Sequence, residues 1–265
     1  MGWPLSPNAL VRTFRVQSMK PTLQWTAVLA FSLFAIYPAR ANVVIHGTRV
    51  VYPGKAREVI IQLSNHGTSP SLVQAWLDNG DAKMTPDESN APFALTPPVF
   101  RLNPNKGQAL RLMYTGRPLP KDRESLFWLN MLEVPPMPAG STGKNYLQLA
   151  FRSRIKVFFR PPGLPGQANE APAKLHWHVV PSSDGKGLGL ECDNPTPYYV
   201  SFSRVGVTVD GRPYAFDKGG MVAPAAKAFF PLAGLSSLPP AGTEVDFTSI
   251  NDYGGDKPRK STLER

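Results

Sequence analysis

The sequence contains a single cysteine, Cys192, among its 265 residues. One cysteine cannot form an internal disulfide, so each domain of this chain must be stable through its hydrophobic core alone. No histidine or helix N-terminus near Cys192 would activate its thiol. We therefore interpret Cys192 as a small buried hydrophobic residue and not as a reactive group.

The sequence also lacks the residue patterns of an enzyme or a metal protein. It has four histidines, of which His176 and His178 would share one face of a strand, but no third ligand follows at a recognisable spacing. There is no G-x-S-x-G elbow, no Cys/His pair for a nucleophile, and no spacing that indicates a catalytic carboxylate pair. We therefore predict a protein that is not an enzyme, with no metal, no cofactor and no small-molecule substrate.

The apolar run from about Trp25 to Tyr37 is too short to span a membrane comfortably. Three basic residues precede it, and it ends at Ala39-Arg40-Ala41, the small-x-small pattern of signal-peptidase cleavage. Residues 1–41 are predicted to be a signal peptide, with Met19 as a second candidate start, and the mature protein is predicted to be periplasmic. The alternative is a buried or anchoring helix.

Charge argues against a nucleic-acid partner. The formal net charge is +10, but residues 1–41 hold four of the basic residues and no acidic one, which leaves +6 after cleavage. These charges are scattered between apolar runs, and no Arg/Lys-rich helix could enter a groove of a duplex. A basic surface that attracts acidic partners stays compatible with the sequence.

The chain after Ala41 alternates between apolar and polar residues. Val59, Ile61 and Leu63 alternate with polar neighbours, and no convincing helix of ten residues is found. The sequence has 29 prolines, and its proline pairs fall between the apolar runs, where they would end strands. This pattern predicts an all-β protein.

Seven runs precede Pro161, and a tryptophan on the third indicates an immunoglobulin-like sandwich. The runs are 43–52, 57–64, 71–78, 93–102, 108–115, 124–133 and 146–160. Pro161–Pro172 is rich in Pro and Gly and is typical of a linker. Shorter runs at 174–180, 188–192, 198–209, 227–232 and 245–250 predict a second sandwich. We place the first domain at 42–162 and the second at 163–265, and the polar tail from Asp256 leaves open whether the second sandwich has its last strand.

The run Tyr146–Arg160 is unusually long, at fifteen residues against a usual strand of about five or six. A long apolar edge strand is normally avoided because it pairs with other chains. Either this strand is covered, or pairing is its role.

Six segments in this order resemble the PapD-like chaperones of pilus (fimbrial) assembly, and the likeness extends from about Val43 to Gly255. The segments are Thr48–Pro53, Asp122–Trp128, Leu147–Ala150, Arg154–Pro161, Asn194–Tyr199 and Ile250–Gly255. The connection from Pro136 to Tyr146 is short, which resembles the short-loop branch of that family.

The resemblance implies two immunoglobulin-like sandwiches in a boomerang arrangement that bind a pilin (fimbrial) subunit and deliver it to an outer-membrane usher. Arg49 and Lys156 match the two cations that bind the carboxyl terminus of the subunit. Two fixed donors can hold one carboxylate through charge-assisted hydrogen bonds, which fits that role.

Leu147, Leu149 and Phe151 match the donor-strand residues that the family inserts into the open groove of a pilin. Lys156 is even-numbered while this row is odd, so a uniform strand would place them on opposite faces. A bulge or strong twist could reconcile them, and the sequence leaves this open.

The resemblance also implies that Glu124, Arg160 and Asp252 form a charge cluster joining the two domains. The alternative function for a chain of this composition is a secreted carbohydrate-binding or adhesive sandwich, which would be expected to expose rows of aromatic residues.

Overall fold

The computed structural model describes residues 42–137, 143, 145–183, 185 and 187–264. The predicted signal peptide, residues 1–41, lies outside the described residues and stays a prediction. No helix within these ranges is long and apolar enough to cross a membrane.

The described residues form two β-sandwiches, as the alternation of the sequence predicts. Of these residues, the first sandwich takes nine strands: β1 (Val43–Ile45), β2 (Arg49–Pro53), β3 (Val59–Asn65), β4 (Ser71–Asp78), β5 (Phe93–Thr96), β6 (Val99–Leu102), β7 (Gly107–Tyr114), β8 (Ser125–Val134) and β9 (Phe151–Arg160). One sheet has the order β1-β3-β7-β5 and the other β2-β9-β8-β4-β6. All of these strands pair antiparallel except β2 and β9, which are parallel.

The second sandwich pairs a three-stranded sheet with a five-stranded sheet. Its strands in the described ranges are β10 (His176–Pro181), β11 (Leu188–Asn194), β12 (Val200–Val209), β13 (Arg212–Phe216), β14 (Gly220–Val222), β15 (Ala226–Leu232), β16 (Glu244–Ile250) and β17 (Asp256–Thr262). The sheet orders are β10-β11-β15 and β13-β12-β16-β17, with β14 paired to β12.

Each sandwich buries its own core. In the first, Tyr52, Leu110 and Leu129 are fully buried, and in the second, Trp177 and Leu190 are. Each fully buried side chain of this size contributes about 1.5–3 kcal/mol relative to an exposed one. Stability therefore follows from the alternation of apolar residues along each strand.

Cys192 lies in the second core and has no exposed surface. Its strand partners are Trp177 and Ala228, and burial raises the pKa of its thiol. The interpretation as a small buried hydrophobic residue is confirmed.

Two of the predicted runs each form two strands. The run 43–52 divides at Gly47, whose φ of 113° favours glycine, and the chain passes from one sheet to the other between β1 and β2. The run 93–102 divides at Pro97 and Pro98, which lack the N–H groups that a continuous ladder needs.

The prediction of a fifteen-residue strand at 146–160 is wrong in length, because β9 begins at Phe151. Its partner β8 ends at Val134, and the ladder stops at the pair Glu133–Phe151. Pro135 and Pro136 follow and offer no N–H donors. The described residues 145–150 therefore have no strand partner in β8 and are exposed.

The polar tail forms the last strand of the second sandwich. The sequence alone had left open whether this strand exists. β17 pairs with β16 over seven residues, from Asp256–Ile250 to Thr262–Glu244. Leu263 then enters the core and bridges to Trp177. An edge strand needs few apolar residues, and for this reason hydrophobicity alone did not reveal β17.

Candidate functional site

Arg49 and Lys156 are brought together by the parallel pairing of β2 and β9, in which they are direct partners. The register between β8 and β9 is continuous from Phe151 to Phe159 and contains no bulge. Val157 and Phe159 face the core, so Lys156 faces outward. Lys156 and the odd-numbered row therefore lie on opposite faces of the strand, which answers the question that the sequence left open.

The second sandwich contacts both cations. Lys156 Nζ lies 3.2 Å from Ser201 Oγ, and Arg49 donates to the carbonyl of Ile250 over 3.2 Å. Ser201 and Ile250 are themselves strand partners in β12 and β16. Two cross-strand pairs, one from each sandwich, thus face each other.

The two cations are partly buried and lie close to each other. Burial, together with the charge of Arg49, lowers the pKa of Lys156 to about 8. Burial also lowers the pKa of Arg49, although Asp252 opposes this. The Nε of Arg49 is buried without a hydrogen-bond partner, and no carboxylate of the described residues forms a salt bridge with Arg49 or Lys156. This arrangement can accept an anion.

A cleft of about 660 Å³ opens between the two sandwiches, and Arg49 lines it together with Phe158, Tyr199 and Tyr253. Lys156 is not among the lining residues. The guanidinium of Arg49 lies 5.8 Å from the centre of the Phe158 ring. Arg160, Lys257 and Arg259 also line the cleft, so an anion that reached Arg49 from it would enter a partly cationic space with aromatic surface beside Arg49.

Glu124, Arg160 and Asp252 lie together at the junction of the two sandwiches. Arg160 Nε is 2.6 Å from Glu124, and its terminal nitrogens lie 2.8 and 3.0 Å from Asp252. The backbone N–H of Tyr199 donates to the other oxygen of Glu124 over 2.8 Å. Arg160 therefore links Glu124 of the first sandwich to the loop after β16. Glu124 in turn accepts a hydrogen bond from the segment just before β12.

Burial dominates the electrostatics of Glu124. Its pKa is raised by desolvation, although Arg160 and the N–H of Tyr199 oppose the shift. The hydrogen bonds and charges of Asp252 and Glu124 more than offset burial at Arg160 and raise its pKa. Because burying a carboxylate offsets much of the attraction, a cluster of this kind adds little net stability.

One edge of β9 is open. β2 covers β9 only from Lys156 to Arg160, whereas β8 pairs with it from Phe151 to Phe159. Among the described residues, 151–155 therefore have a strand neighbour on one side alone. An uncovered edge of this kind can pair with a strand of another chain.

The core-facing row of β9 is partly buried at Ile155 and Ser153 and becomes exposed at Phe151, and the segment before β9 adds two exposed leucines. Val157 is fully buried and Phe159 is 5% exposed, whereas Phe151 and Leu149 are each 55% exposed and Leu147 is 82% exposed. Gln148 holds this extension through a 2.8 Å bond to the carbonyl of Pro135. The three sequence-predicted residues thus present apolar surface next to the open edge.

Comparison with known proteins identifies the family. The family model described as "Pili and flagellar-assembly chaperone, PapD N-terminal domain" matches residues 42–165. The one described as "Pili assembly chaperone PapD, C-terminal domain" matches residues 170–261. This chain belongs to the PapD family of pilus-assembly chaperones.

Individual relatives agree with the family models. The chaperone is 44% identical over 236 residues to the probable fimbrial chaperone YadV of Escherichia coli K12, which covers 88% of this chain and 93% of YadV. The crystal structure of the YadV chaperone superposes with a TM-score of 0.72 over 84% of this chain and all of that one, at 43% identity. A solved complex of the Salmonella enterica SafA pilin with the SafB chaperone matches with a TM-score of 0.68 and 29% identity, over 86% of this chain and 99% of that chain.

The histidine pair predicted to be unrelated to metal binding lies on β10 of the chaperone. His176 Nδ1 is 2.5 Å from Glu264 Oε1, and both side chains are about half exposed. His178 pairs with Glu191 across the sheet. Within the described ranges, no group of three or more potential ligands is arranged to hold a metal ion.

Sequence reasoning missed Ser201 and the carbonyl of Ile250, which contact the two cations. Ser201 is 1% exposed and lies in a run that reads only as an alternating strand. No local signal distinguishes it, because its role depends on which strand of the other sandwich faces it. A backbone carbonyl carries no sequence signal at all.

Proposed function

We propose that this chaperone binds pilin subunits in the periplasm through Arg49, Lys156 and the open edge of β9, caps them by donor-strand complementation, and delivers them to an outer-membrane usher. The observation that carries the proposal is the set of exposed apolar side chains Leu147, Leu149 and Phe151 at the start of a strand with an uncovered edge.

The two cations supply an anchor for the carboxyl terminus of the subunit. Arg49 and Lys156 are fixed by their strand pairing and by the second sandwich, and their mutual repulsion would be relieved by a carboxylate. A charge-assisted contact of this kind in a partly buried site is about twice as strong as a neutral hydrogen bond. The anchor would set which subunit residues lie opposite β9.

The open edge supplies both hydrogen bonds and side chains to the subunit. A strand from the subunit that pairs with residues 151–155 would satisfy the N–H and C=O groups on that side. Burial of Leu147, Leu149 and Phe151 in the subunit would contribute about 1.5–3 kcal/mol each before ordering costs. The similarity to SafB, which is solved as a complex with a pilin, supports this partner.

The cluster of Glu124, Arg160 and Asp252 has a geometric role in this proposal. It joins the two sandwiches at the cleft, so it would set the angle between the carboxylate anchor and the surfaces that flank it. A fixed angle lowers the entropy lost when a subunit binds.

The other parts of the proposal rest on family membership. The relatives named above are chaperones, which favours a binding protein over an enzyme and over a carbohydrate-binding or adhesive sandwich. The function uses no cofactor and no small-molecule substrate, and it gives no role to nucleic acid. A periplasmic location agrees with the signal peptide predicted at residues 1–41.

Recovery of bound partners tests the proposed function. The tagged full-length chain would be expressed in cells that also express the pilin and usher genes beside its own, and complexes would be isolated from the periplasmic fraction. We expect an equimolar complex with a pilin, identified by mass spectrometry. A folded periplasmic protein that recovers glycans and no pilin would contradict the proposal.

A further inference from the structure

The outward face of β4, β8 and β9 carries a connected cluster of side chains that borders the open edge and the carboxylate anchor and has had no role in the site so far. It consists of two arginines on β9, an aspartate and an amide on neighbouring strands, and two tryptophans. We call it the edge clamp, and its members are Trp76, Asp78, Trp128, Asn130, Arg152 and Arg154.

Asp78 is the centre of the edge clamp. Its side chain has no exposed surface, and it accepts hydrogen bonds from Arg154 Nε at 2.9 Å, from Asn130 Nδ2 at 2.7 Å and from the N–H of Gly80 at 2.7 Å. Burial works against its charge, but these donors hold the pKa of Asp78 below its usual value. Asp78 therefore stays ionised and binds Arg154 at neutral pH.

Aromatic rings fix the position of both guanidinium groups. Arg154 lies 4.2 Å from the centre of the Trp128 ring, and Arg152 lies 4.7 Å from the centre of the Trp76 ring. A guanidinium over an indole face gains cation–π attraction in addition to its hydrogen bonds. Trp128 is also the strand partner of Lys156, so the edge clamp continues to the carboxylate anchor.

Arg152 connects the strand edge to the loop that follows β4. It donates to Asn130 Oδ1 at 3.0 and 2.8 Å and to the carbonyl of Ala82 at 2.7 Å. Trp76 Nε1 donates to the carbonyl of Met84 in the same loop over 3.2 Å. Arg152 thus ties β9 to two other elements through its side chain.

Both arginines belong to the segment 151–155, where β9 has a strand neighbour on one side alone. Strand ends with one ladder and exposed surface open locally at low free-energy cost. Side chains alternate between faces, so Arg152 and Arg154 point away from the row that contains Phe151. The edge clamp can therefore hold the segment without covering either its open edge or its apolar row.

We propose that the edge clamp keeps residues 151–155 extended and in register before a subunit arrives, which makes Arg152 and Arg154 positioning residues. The benefit for pilin capture rests on the proposed function. If the segment frayed, only the fraction of molecules with an ordered edge could bind, and the apparent dissociation constant would rise by the inverse of that fraction.

Native-state hydrogen exchange of the free full-length chaperone tests the edge clamp without any partner. One variant is Arg152→Gln, which removes the bonds to Asn130 and Ala82. The second is the double change Asp78→Asn with Arg154→Gln, which replaces the ion pair by two neutral amides. The matched control is Arg111→Gln, since Arg111 on β7 of the other sheet forms a surface salt bridge with Glu58, the residue before β3.

We expect the β8-bonded amides of residues 151–155 to exchange about tenfold faster or more in both test variants, because local opening sets their protection. Amides of β3 and β7 should keep their wild-type rates, and the control should leave 151–155 unchanged. Wild-type protection at 151–155 in both test variants would overturn the proposal. An equal loss of protection in every strand would also overturn it, since the cluster would then stabilise the whole fold and not residues 151–155 in particular.

Binding kinetics with a purified pilin provide the second measurement. The association rate should fall in proportion to the fraction of molecules with an ordered edge, which the exchange data give as 1/(1 + K), where K is the equilibrium constant for local opening. The dissociation rate should stay within about twofold, because the bound subunit itself holds the edge. If exchange changes as expected but the wild type binds no pilin, the edge clamp stands and the proposed function fails. If the association rate does not follow the ordered fraction, the positioning role is wrong.

Discussion

Arg49 lies directly opposite Lys156 in the parallel pair of β2 and β9, and no carboxylate of the described residues neutralises either of them by a salt bridge. Two like charges held side by side in a partly buried site are unfavourable on their own. The arrangement is favourable once an anion binds, and this is the basis of the first two predictions.

Replacement of either cation by alanine should weaken binding of a peptide that carries the carboxyl-terminal residues of a pilin by about 2–5 kcal/mol. The variant with both Arg49→Ala and Lys156→Ala should lose less than the sum of the single losses, because both residues act on one group. Calorimetry with free and amidated peptide provides the check. Amidation should weaken binding strongly for the wild type and little for the double variant, and a harmless amidation in the wild type would refute the anchor.

Binding of the same peptide should weaken above pH 8. With a pKa of about 8 in the free protein, Lys156 is mostly neutral at pH 9, so affinity should fall about tenfold between pH 7 and pH 9. A carboxylate favours the charged form, so binding should take up a proton in this range, which calorimetry in buffers of different ionisation enthalpy measures. The control is Lys156→Arg, which stays charged and should show no such loss.

The same group changes folding stability in the opposite direction. The folded-state pKa of Lys156 is lowered, so between pH 8 and the unfolded value of 10.5 the unfolded state binds more protons than the folded state. This group therefore makes the folded protein more stable as pH rises through that window. If both peptide affinity and melting temperature fall as pH rises from about 8 to 10.5, groups other than Lys156 cause the pH dependence.

The change Leu149→Glu should abolish pilin binding and leave the fold intact. Leu149 is 55% exposed in the free protein, so the stability change should stay within about 0.5 kcal/mol. In the complex the new carboxylate would be buried in the subunit at a cost of several kcal/mol. The control Ile60→Glu changes a residue that is 44% exposed on the other sheet and should bind normally. A lowered melting temperature with normal pilin capture would mean that Leu149 belongs to the core.

Replacement of Cys192 should affect stability and not binding. Cys192→Ser puts a hydroxyl into a fully buried apolar site, where an unsatisfied polar group costs about 1–3 kcal/mol. Cys192→Ala lacks that hydroxyl and should cost less than the serine variant. Chemical denaturation measures both, and loss of subunit binding by a folded Cys192→Ser protein would show a functional thiol.

Intact-mass measurement of the periplasmic protein should give a chain that begins at Asn42. The pattern Ala39-Arg40-Ala41 predicts cleavage there. A periplasmic protein that retains residues 24–41 would contradict the predicted cleavage.

The sequence by itself determined the fold class, because alternation along one strand is a local property. Val59, Ile61 and Leu63 predict a half-buried strand without knowledge of its partner, and Pro97-Pro98 and Pro135-Pro136 mark ends whatever the topology. The resemblance also selected Arg49, Lys156, Glu124, Arg160 and Asp252, and the structure brings each group together. Their roles in subunit binding stay predictions.

Only the tertiary structure decided which distant residues meet. Strand register and the choice of neighbouring strands bring Asp78 and Arg154 of the edge clamp together. They also place Lys156 beside Ser201 and turn it away from the apolar row. The start of β9 at Phe151 depends on where β8 ends, and β17 forms because β16 offers it a complete ladder. Backbone hydrogen bonds between strands do not depend on side-chain hydrophobicity. A polar strand with a complete partner therefore cannot be recognised from the pattern of apolar residues.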